Sequence, residues 1–338
     1  MSSPPSAGLF GLGGPVLTAE ERAFFSSVQP LGFILFARNI QTPDQVRALV
    51  AGLREAVGRA DAPVLIDQEG GRIARLRPPH WHALPAAARI AALGGEAAAE
   101  AAWLSGRLIA HDCAGLGIDV ACAPVLDVLA PQVATEVIGD RSFGTAPEPV
   151  IALGRQQADG LLAGGVLPIA KHIPGHGRAQ VDSHHALPTV HAPLAALQAV
   201  DFAPFQALHD LPIAMTAHID YTALDPGVPA TWSARVIGEI IRGQIGFNGF
   251  LLSDDLSMQA LGGPLGQRAA RSIAAGCDAV LHCNGDMAEM QAVADTIGPL
   301  GDAARQRWSA VCRTGPQPFD ALAGAARLSE LLGKRLPG

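Results

Sequence analysis

The sequence predicts an α/β fold, a single (β/α)8 barrel of the TIM type, on three observations. Short apolar runs recur along its 338 residues, amphipathic stretches separate them, and most runs end abruptly in a polar or charged side chain. Short buried strands alternating with helices imply a parallel sheet. Eight such units close that sheet into a barrel.

The expected strands, in order, are Gly8–Leu12, Gly32–Phe36, Pro63–Asp67, Ile118–Asp127, Leu167–His172, Pro212–His218, Gly249–Asp254 and Asp278–Asn284. Helical segments are expected at Pro43–Val57, Ala97–Cys113, Pro147–Ala163, Pro193–Leu208, Ser233–Gln244, Leu265–Ala275 and Met287–Ile297. Thr42-Pro43 ahead of Asp44, and Ser233 ahead of Glu239, are start signals: a side-chain oxygen caps the first free amides, and proline fits the first turn. The first unit is the least strand-like, because Ala7–Gly14 is rich in glycine. A doubly wound open sheet is the alternative. Gly11-Leu12-Gly13-Gly14 does not support it, since the third spaced glycine of a dinucleotide-binding turn is missing. One domain over residues 1–338 is expected, with the barrel at about 7–300 and a helical tail behind it.

Composition narrows the function. Hydrophobic residues make up 49% and charged residues 16%, enough for a large core and unlike a disordered chain. No apolar run approaches the ~18 residues of a membrane span, and Met1–Pro15 carries no Lys or Arg of the kind that opens a signal peptide. A cytoplasmic location and no membrane partner are therefore expected. Net charge is -7 with no basic cluster, which argues against nucleic acid as partner. Cys113, Cys122, Cys277, Cys283 and Cys312 form no CxxC pair and are odd in number, so buried thiols are expected rather than disulfides or a zinc site. Only Lys171 and Lys334 are lysines; every other long basic side chain is arginine. A lysine retained at 171 suggests a place where a compact ammonium is required.

The expected strands end in Asp67, Asp127, Lys171-His172, His218, Asp254 and Asn284. A core strand has no packing reason to end in groups that resist burial. In a barrel these carboxyl ends share one rim, which is the catalytic face. Capping of the next helix is the competing explanation, most natural for Asp127 and Asn284; it does not account for a lysine beside a histidine.

Four segments carry chemistry. Lys171-His172-Ile173-Pro174-Gly175-His176-Gly177 leads to Asp182-Ser183-His184-His185, where proline and glycines suggest a loop with unusual backbone angles, able to bend. Asp182 stands two residues before His184, and a carboxylate so placed can polarise an imidazole for proton transfer near neutral pH. Gly249–Met258 reads as a buried strand ending in Asp254 and Asp255. One carboxylate under an electron-poor sugar carbon can act as nucleophile, and Asp255 is assigned to a helix cap. Ile66–Arg75 supplies Asp67, Glu69, Arg72 and Arg75; Gly139–Phe143 is another charged turn.

These motifs together — IDQEGGR at 66–72, APVLDV at 123–128, GDRSF at 139–143, KHIPGHG at 171–177, DSH at 182–184 and SDDLSM at 253–258 — resemble the bacterial β-N-acetylglucosaminidases of glycoside hydrolase family three, the cytosolic muropeptide-recycling type. The resemblance covers nearly the whole chain. It implies a retaining exo-enzyme that removes terminal N-acetylglucosamine from anhydromuropeptides without a cofactor. It implies Asp254 as nucleophile, His184 as acid/base and Asp182 as the group that tunes His184. It implies Asp67, Arg75, Arg141, Lys171 and His172 as sugar-binding residues, and a monomer whose partner is a small sugar. His176 and His218 either shape the pocket or touch substrate. His185 departs from the family pattern, where a lysine is common.

A histidine acid/base has a consequence. After donating its proton the imidazole is neutral and does not repel an anionic acceptor as a carboxylate does, so phosphate is expected to compete with water. Two rival readings lack their signatures. A metal-dependent hydrolase calls for spaced ligands, and no HxH stands at a strand end and no HExxH is present. A sugar-binding barrel without catalysis has no use for Asp254 or for the Asp182–His184 pair. No metal is expected.

Overall fold

The computed structural model describes residues 4–130, 137–183, 186–311 and 315–333. Eight parallel strands close into a barrel: β1 (Ser6–Phe10), β2 (Pro30–Leu35), β3 (Val64–Ile66), β4 (Val120–Ala121), β5 (Leu167–Ile173), β6 (Ile213–Thr216), β7 (Phe250–Asp255) and β8 (Ala279–His282). Each is hydrogen-bonded to the next, and β8 returns to β1 through Gly8–Val280, Leu9–Leu281 and Phe10–His282. The expected barrel is therefore the observed one.

Each expected apolar run overlaps one strand, but the fourth is much shorter than expected. Of Ile118–Asp127 only Val120–Ala121 pairs continuously. Pro124 has no N–H to donate to a ladder, and beyond it the strand pairing with β5 is reduced to the isolated Val125–Lys171 bridge. Asp127 thus lies well beyond the strand it was expected to end.

Helices cover the outside: α1 (Ala19–Val28), α2 (Pro43–Val57), α3 (Gly95–Ala114), α4 (Pro147–Ala163), α5 (Leu265–Ala275) and α6 (Met287–Ala294). Helix α1 was not among the expected elements. Thr18 and Glu21 form a reciprocal capping box at its start, and Phe24 and Phe25 turn inward, Phe25 meeting Phe33 of β2 at 5.0 Å between ring centroids. The stretches expected as regular helices at Pro193–Leu208 and Ser233–Gln244 contain π-helical segments, Leu197–Asp201 and Val236–Gln244. Pro204 cannot donate within the first stretch, and Gly238 and Gly243 weaken the second. The tail consists of α7 (Asp302–Ala310) and α8 (Ala321–Leu331).

The core has two shells. Between strands and helices lies a continuous apolar layer, and inside the barrel lies a second. The inner shell follows the two-residue period of a strand: Leu65 of β3, Leu167 and Ile169 of β5, Phe250 and Leu252 of β7, Ala279 and Leu281 of β8. Helix α7 closes its amino-terminal end, with the Trp308 ring 5.0 Å from Phe250. At the carboxyl end the same period continues beyond the apolar residues, and the next inward positions are Asp67, Lys171 and Asp254. The alternation that fills the barrel also aims these three side chains into its mouth.

Candidate active site

A cavity of about 190 Å3 opens at the carboxyl ends of the strands. Asp67, Glu69, Arg75, Arg141, Lys171, His172, His176, Asp182 and Asp254 line its polar side; Ile34, Phe36, Met215, Met258 and Leu281 line its apolar side. The cavity therefore gathers Asp67, Arg75, Arg141, Lys171, His172, Asp182 and Asp254 from all four of the segments read from the sequence. His184 and His185 lie outside the described residues.

Five side chains form one ionic cluster. Lys171 Nζ donates to Asp67 Oδ1 at 3.1 Å and lies 2.7 Å from Glu69 Oε1. Arg141, at the end of the turn Gly139–Arg141, grips Glu69 with Nε at 2.9 Å and a terminal nitrogen at 2.8 Å. Arg75 donates to Asp67 Oδ2 at 3.0 Å, and its guanidinium stacks 5.2 Å from the Phe36 ring. Burial alone would push both carboxyls up, but Lys171 and Arg75 hold Asp67 far below the usual carboxylate range, and Arg141 and Lys171 hold Glu69 down. Burial alone would pull the Lys171 ammonium down; the Asp67 and Glu69 anions outweigh it and raise it. Asp67, Glu69, Arg141 and Lys171 are thereby held in their charged forms.

The sequence reading passed over the part played by Glu69, which joins Lys171 to Arg141. Glu69 sits on a small antiparallel ribbon, Gln68–Gly70 against Ile73–Ala74. The buried Gln68 side chain accepts from the Arg75 and Leu76 amides and donates to the Leu76 carbonyl, which fixes the backbone under Arg75. The IDQEGGR signal was present; what it hides is that a tight ribbon turns Asp67 and Glu69 toward the same ammonium.

Asp254 stands apart from this cluster. Among the described residues, its carboxylate accepts one hydrogen bond, from the Asp255 amide at 2.8 Å. Burial pushes its proton affinity up, but the His172 and His218 imidazoles, that amide and Lys171 bring it below the ordinary aspartate value. It is an anion in the barrel mouth, and among the described residues no cation is bonded to it. Asp255 caps no helix, contrary to expectation, since α5 begins at Leu265. It accepts from the amides of Ser257 and of Cys283 on the neighbouring strand segment and so locks the turn that follows Asp254.

Capping, the competing explanation for Asp127, does not describe it either. Asp127 is fully buried and accepts from the His172 amide at 3.1 Å, the His172 ring Nδ1 at 2.7 Å and the His176 amide at 2.7 Å. Asn284, by contrast, accepts from the Asp286 amide in the turn before α6. The glycines of the 171–177 segment show the expected unusual backbone angle and also allow close packing. Gly175 has φ +134°, and a side chain on Gly177 would meet the Val128 carbonyl at 1.8 Å. Tyr221 donates to the Gly175 carbonyl at 2.6 Å and anchors the same turn.

His176 lines the cavity, and burial among its neighbours pulls it down to about 4, so it is neutral. Its Nε2 lies 3.4 Å from Ser183 Oγ. His218 sits below, with Nε2 3.1 Å from the Asp255 carbonyl and Nδ1 2.7 Å from Thr231 Oγ1. Burial lowers its proton affinity too. It is outside the cavity lining and shapes the pocket from behind. No group of three His, Cys, Asp or Glu residues suited to a metal ion occurs among the described residues.

Comparison with known proteins places these features in a family. Residues 16–310 match the model of the glycosyl hydrolase family 3 N terminal domain. A beta-hexosaminidase of Alkalilimnicola ehrlichii is 42% identical over 283 residues, 82% of this chain and 80% of that protein. One of Methylococcus capsulatus is 40% identical over 280 residues, 82% of each. The crystal structure of NagZ from Neisseria gonorrhoeae in complex with N-trifluoroacetyl-D-glucosamine superposes with a TM-score of 0.88 at 33% identity, covering 98% of this chain and 99% of that one.

Proposed function

This chain belongs to glycosyl hydrolase family 3 and is a glycoside hydrolase of the β-N-acetylhexosaminidase type, and from that premise we propose that it is a retaining exo-β-N-acetylglucosaminidase that releases terminal N-acetylglucosamine from peptidoglycan fragments. The observation that carries the mechanism is Asp254: an anion in the cavity, tied among the described residues by one amide, while Asp67 and Glu69 are engaged by cations. Asp254 attacks the anomeric carbon, the glycosidic C–O bond breaks, and a covalent glycosyl-enzyme forms. His184, polarised by Asp182, gives its proton to the leaving oxygen and takes one back from the incoming water. Asp67, Arg75, Arg141, Lys171 and His172 bind the sugar.

The size of the cavity supports cutting at a chain end. About 190 Å3 is less than the ~300–1,000 Å3 of sites for drug-sized ligands, and it suits one sugar ring rather than a stretch of polysaccharide. The peptidoglycan role rests on the likeness to NagZ, and a cytoplasmic, monomeric enzyme follows from the same reading. No helix among the described residues is long and apolar enough to cross a membrane.

Trapping with a fluorinated N-acetylglucosamine analogue, followed by peptide mass spectrometry, tests reaction course and nucleophile together. The label is expected on the peptide that holds Asp254. A label on another carboxylate overturns the assignment, and Asp254→Ala with unchanged turnover of an aryl N-acetylglucosaminide ends the proposal.

A further inference from the structure

We infer that Asp127 is a positioning residue that decides which ring nitrogen of His172 carries the proton, and thereby which hydrogen-bonding face His172 turns to the sugar; this rests on the proposed contact between His172 and the sugar. Asp127 is 0% exposed and does not line the cavity. Its backbone carbonyl accepts from Ser142 Oγ at 2.7 Å, which fixes the residue from the far side. Oδ1 receives two backbone amides, those of His172 and His176, and Oδ2 receives His172 Nδ1.

The proton positions follow from chemistry alone. Backbone amides only donate, and an ionised carboxylate only accepts. Two backbone N–H groups converging on Oδ1 favour the ionised carboxylate, and Asp127 is held down to about 2, burial being outweighed by its contacts with His172 and His176. Nδ1 of His172 must therefore carry a hydrogen. Neutral His172 then presents Nε2 as an acceptor to the cavity, ready for a sugar hydroxyl. An Asp–His pair of this kind orients the ring as an outer partner orients a metal-bound histidine.

Asn at position 127 makes a sharp prediction. Its amide has one oxygen for three donors. The two backbone amides cannot release their hydrogens, so the oxygen stays with them and the NH2 group faces His172 Nδ1. The ring must then move its proton to Nε2, and the face toward the sugar changes from acceptor to donor. Replacing aspartate by asparagine keeps volume and shape, so the barrel remains folded.

The test uses the full-length protein labelled with 15N-histidine, with His172 assigned by its loss in His172→Gln. In the wild type, long-range proton–nitrogen correlations are expected to show neutral His172 protonated at Nδ1; in Asp127→Asn, at Nε2. Turnover of an aryl N-acetylglucosaminide is expected to fall about 10–100-fold in kcat/KM, the range found when outer hydrogen-bond partners are removed, in a variant that still unfolds in one cooperative transition. A neutral wild-type His172 protonated at Nε2 overturns the inference even if the variant does not fold. So does a folded Asp127→Asn that keeps the Nδ1–H form, or one whose kcat/KM stays within twofold. The nitrogen signature needs no turnover, so it is independent of whether Asp254 is the nucleophile.

Discussion

Lys171 Nζ lies 2.7 Å from Glu69 Oε1, with the two side chains 3% and 6% exposed. A buried pair of this kind is a weak source of net stability, but removing one partner strands the other charge in low dielectric. Here Glu69 also receives two donors of Arg141, so its loss strands the Arg141 charge, while Lys171 loses its shorter contact and keeps Asp67 alone. Glu69→Gln is expected to cost about 3 kcal/mol in urea unfolding and to lower kcat/KM, since Lys171 and Arg141 both lose their fixed positions. Lys171→Arg keeps the charge but replaces a compact ammonium by a planar fork in a space enclosed by Asp67 and Glu69; activity is expected to fall there also. A Glu69→Gln protein within about 0.5 kcal/mol of wild type, the usual range for a surface change, removes this reading of the cluster.

The buried carboxylates predict an acid limit with a definite sign. Asp67, Glu69 and Asp127 all lie below their ordinary values in the folded protein, each because neighbouring cations or N–H donors outweigh burial. A depressed folded value means stability that is present above the unfolded value of about 4 and lost as pH falls through the folded one. For Asp127, held at about 2, the loss falls between about pH 4 and pH 2 and is on the order of 2 kcal/mol. Urea unfolding of wild type and Asp127→Asn at successive pH values isolates this part. The gap between the two is expected to narrow as pH falls through that window, and a constant gap sinks the assignment.

Much of this site is legible in the sequence, because both the period of a strand and the punctuation of a helix are local. Pro43–Val57, Pro147–Ala163 and Leu265–Ala275 are bounded by prolines and glycines and appear in the structure with those limits. Asp67, Lys171 and Asp254 follow from apolar runs that end in charge. Asp127 does not follow: Pro124 takes the chain off the ladder, so its distance from the strand and its partners, 45 and 49 residues away, are tertiary facts. Glu69 is hidden likewise, since its partners come from β5 and from the turn at Arg141. Helix α1 announces itself through Thr18 and Glu21, a signal that the glycine-rich first strand overshadows.

The identity of the acceptor is the remaining point on which the charges make a prediction. In the resting site Asp254 is an anion, which opposes the entry of another anion. On the proposed mechanism, esterification of Asp254 removes that charge, while Arg75, Arg141 and Lys171 remain beside Asp67 and Glu69. With His184 as acid/base, the group facing the acceptor is a neutral imidazole at this stage. A glutamate there would be an anion, and two unit charges 4 Å apart repel by about 4 kcal/mol at an effective dielectric of 20. Phosphate is therefore expected to compete with water, its oxygen displacing the Asp254 carboxylate from the anomeric carbon to give N-acetylglucosamine 1-phosphate. Parallel reactions with and without phosphate, read by phosphorus NMR, check this. His184→Glu is expected to suppress the sugar phosphate more than it suppresses hydrolysis. No sugar phosphate from the wild type, or an unchanged product ratio in the variant, rules out the electrostatic account.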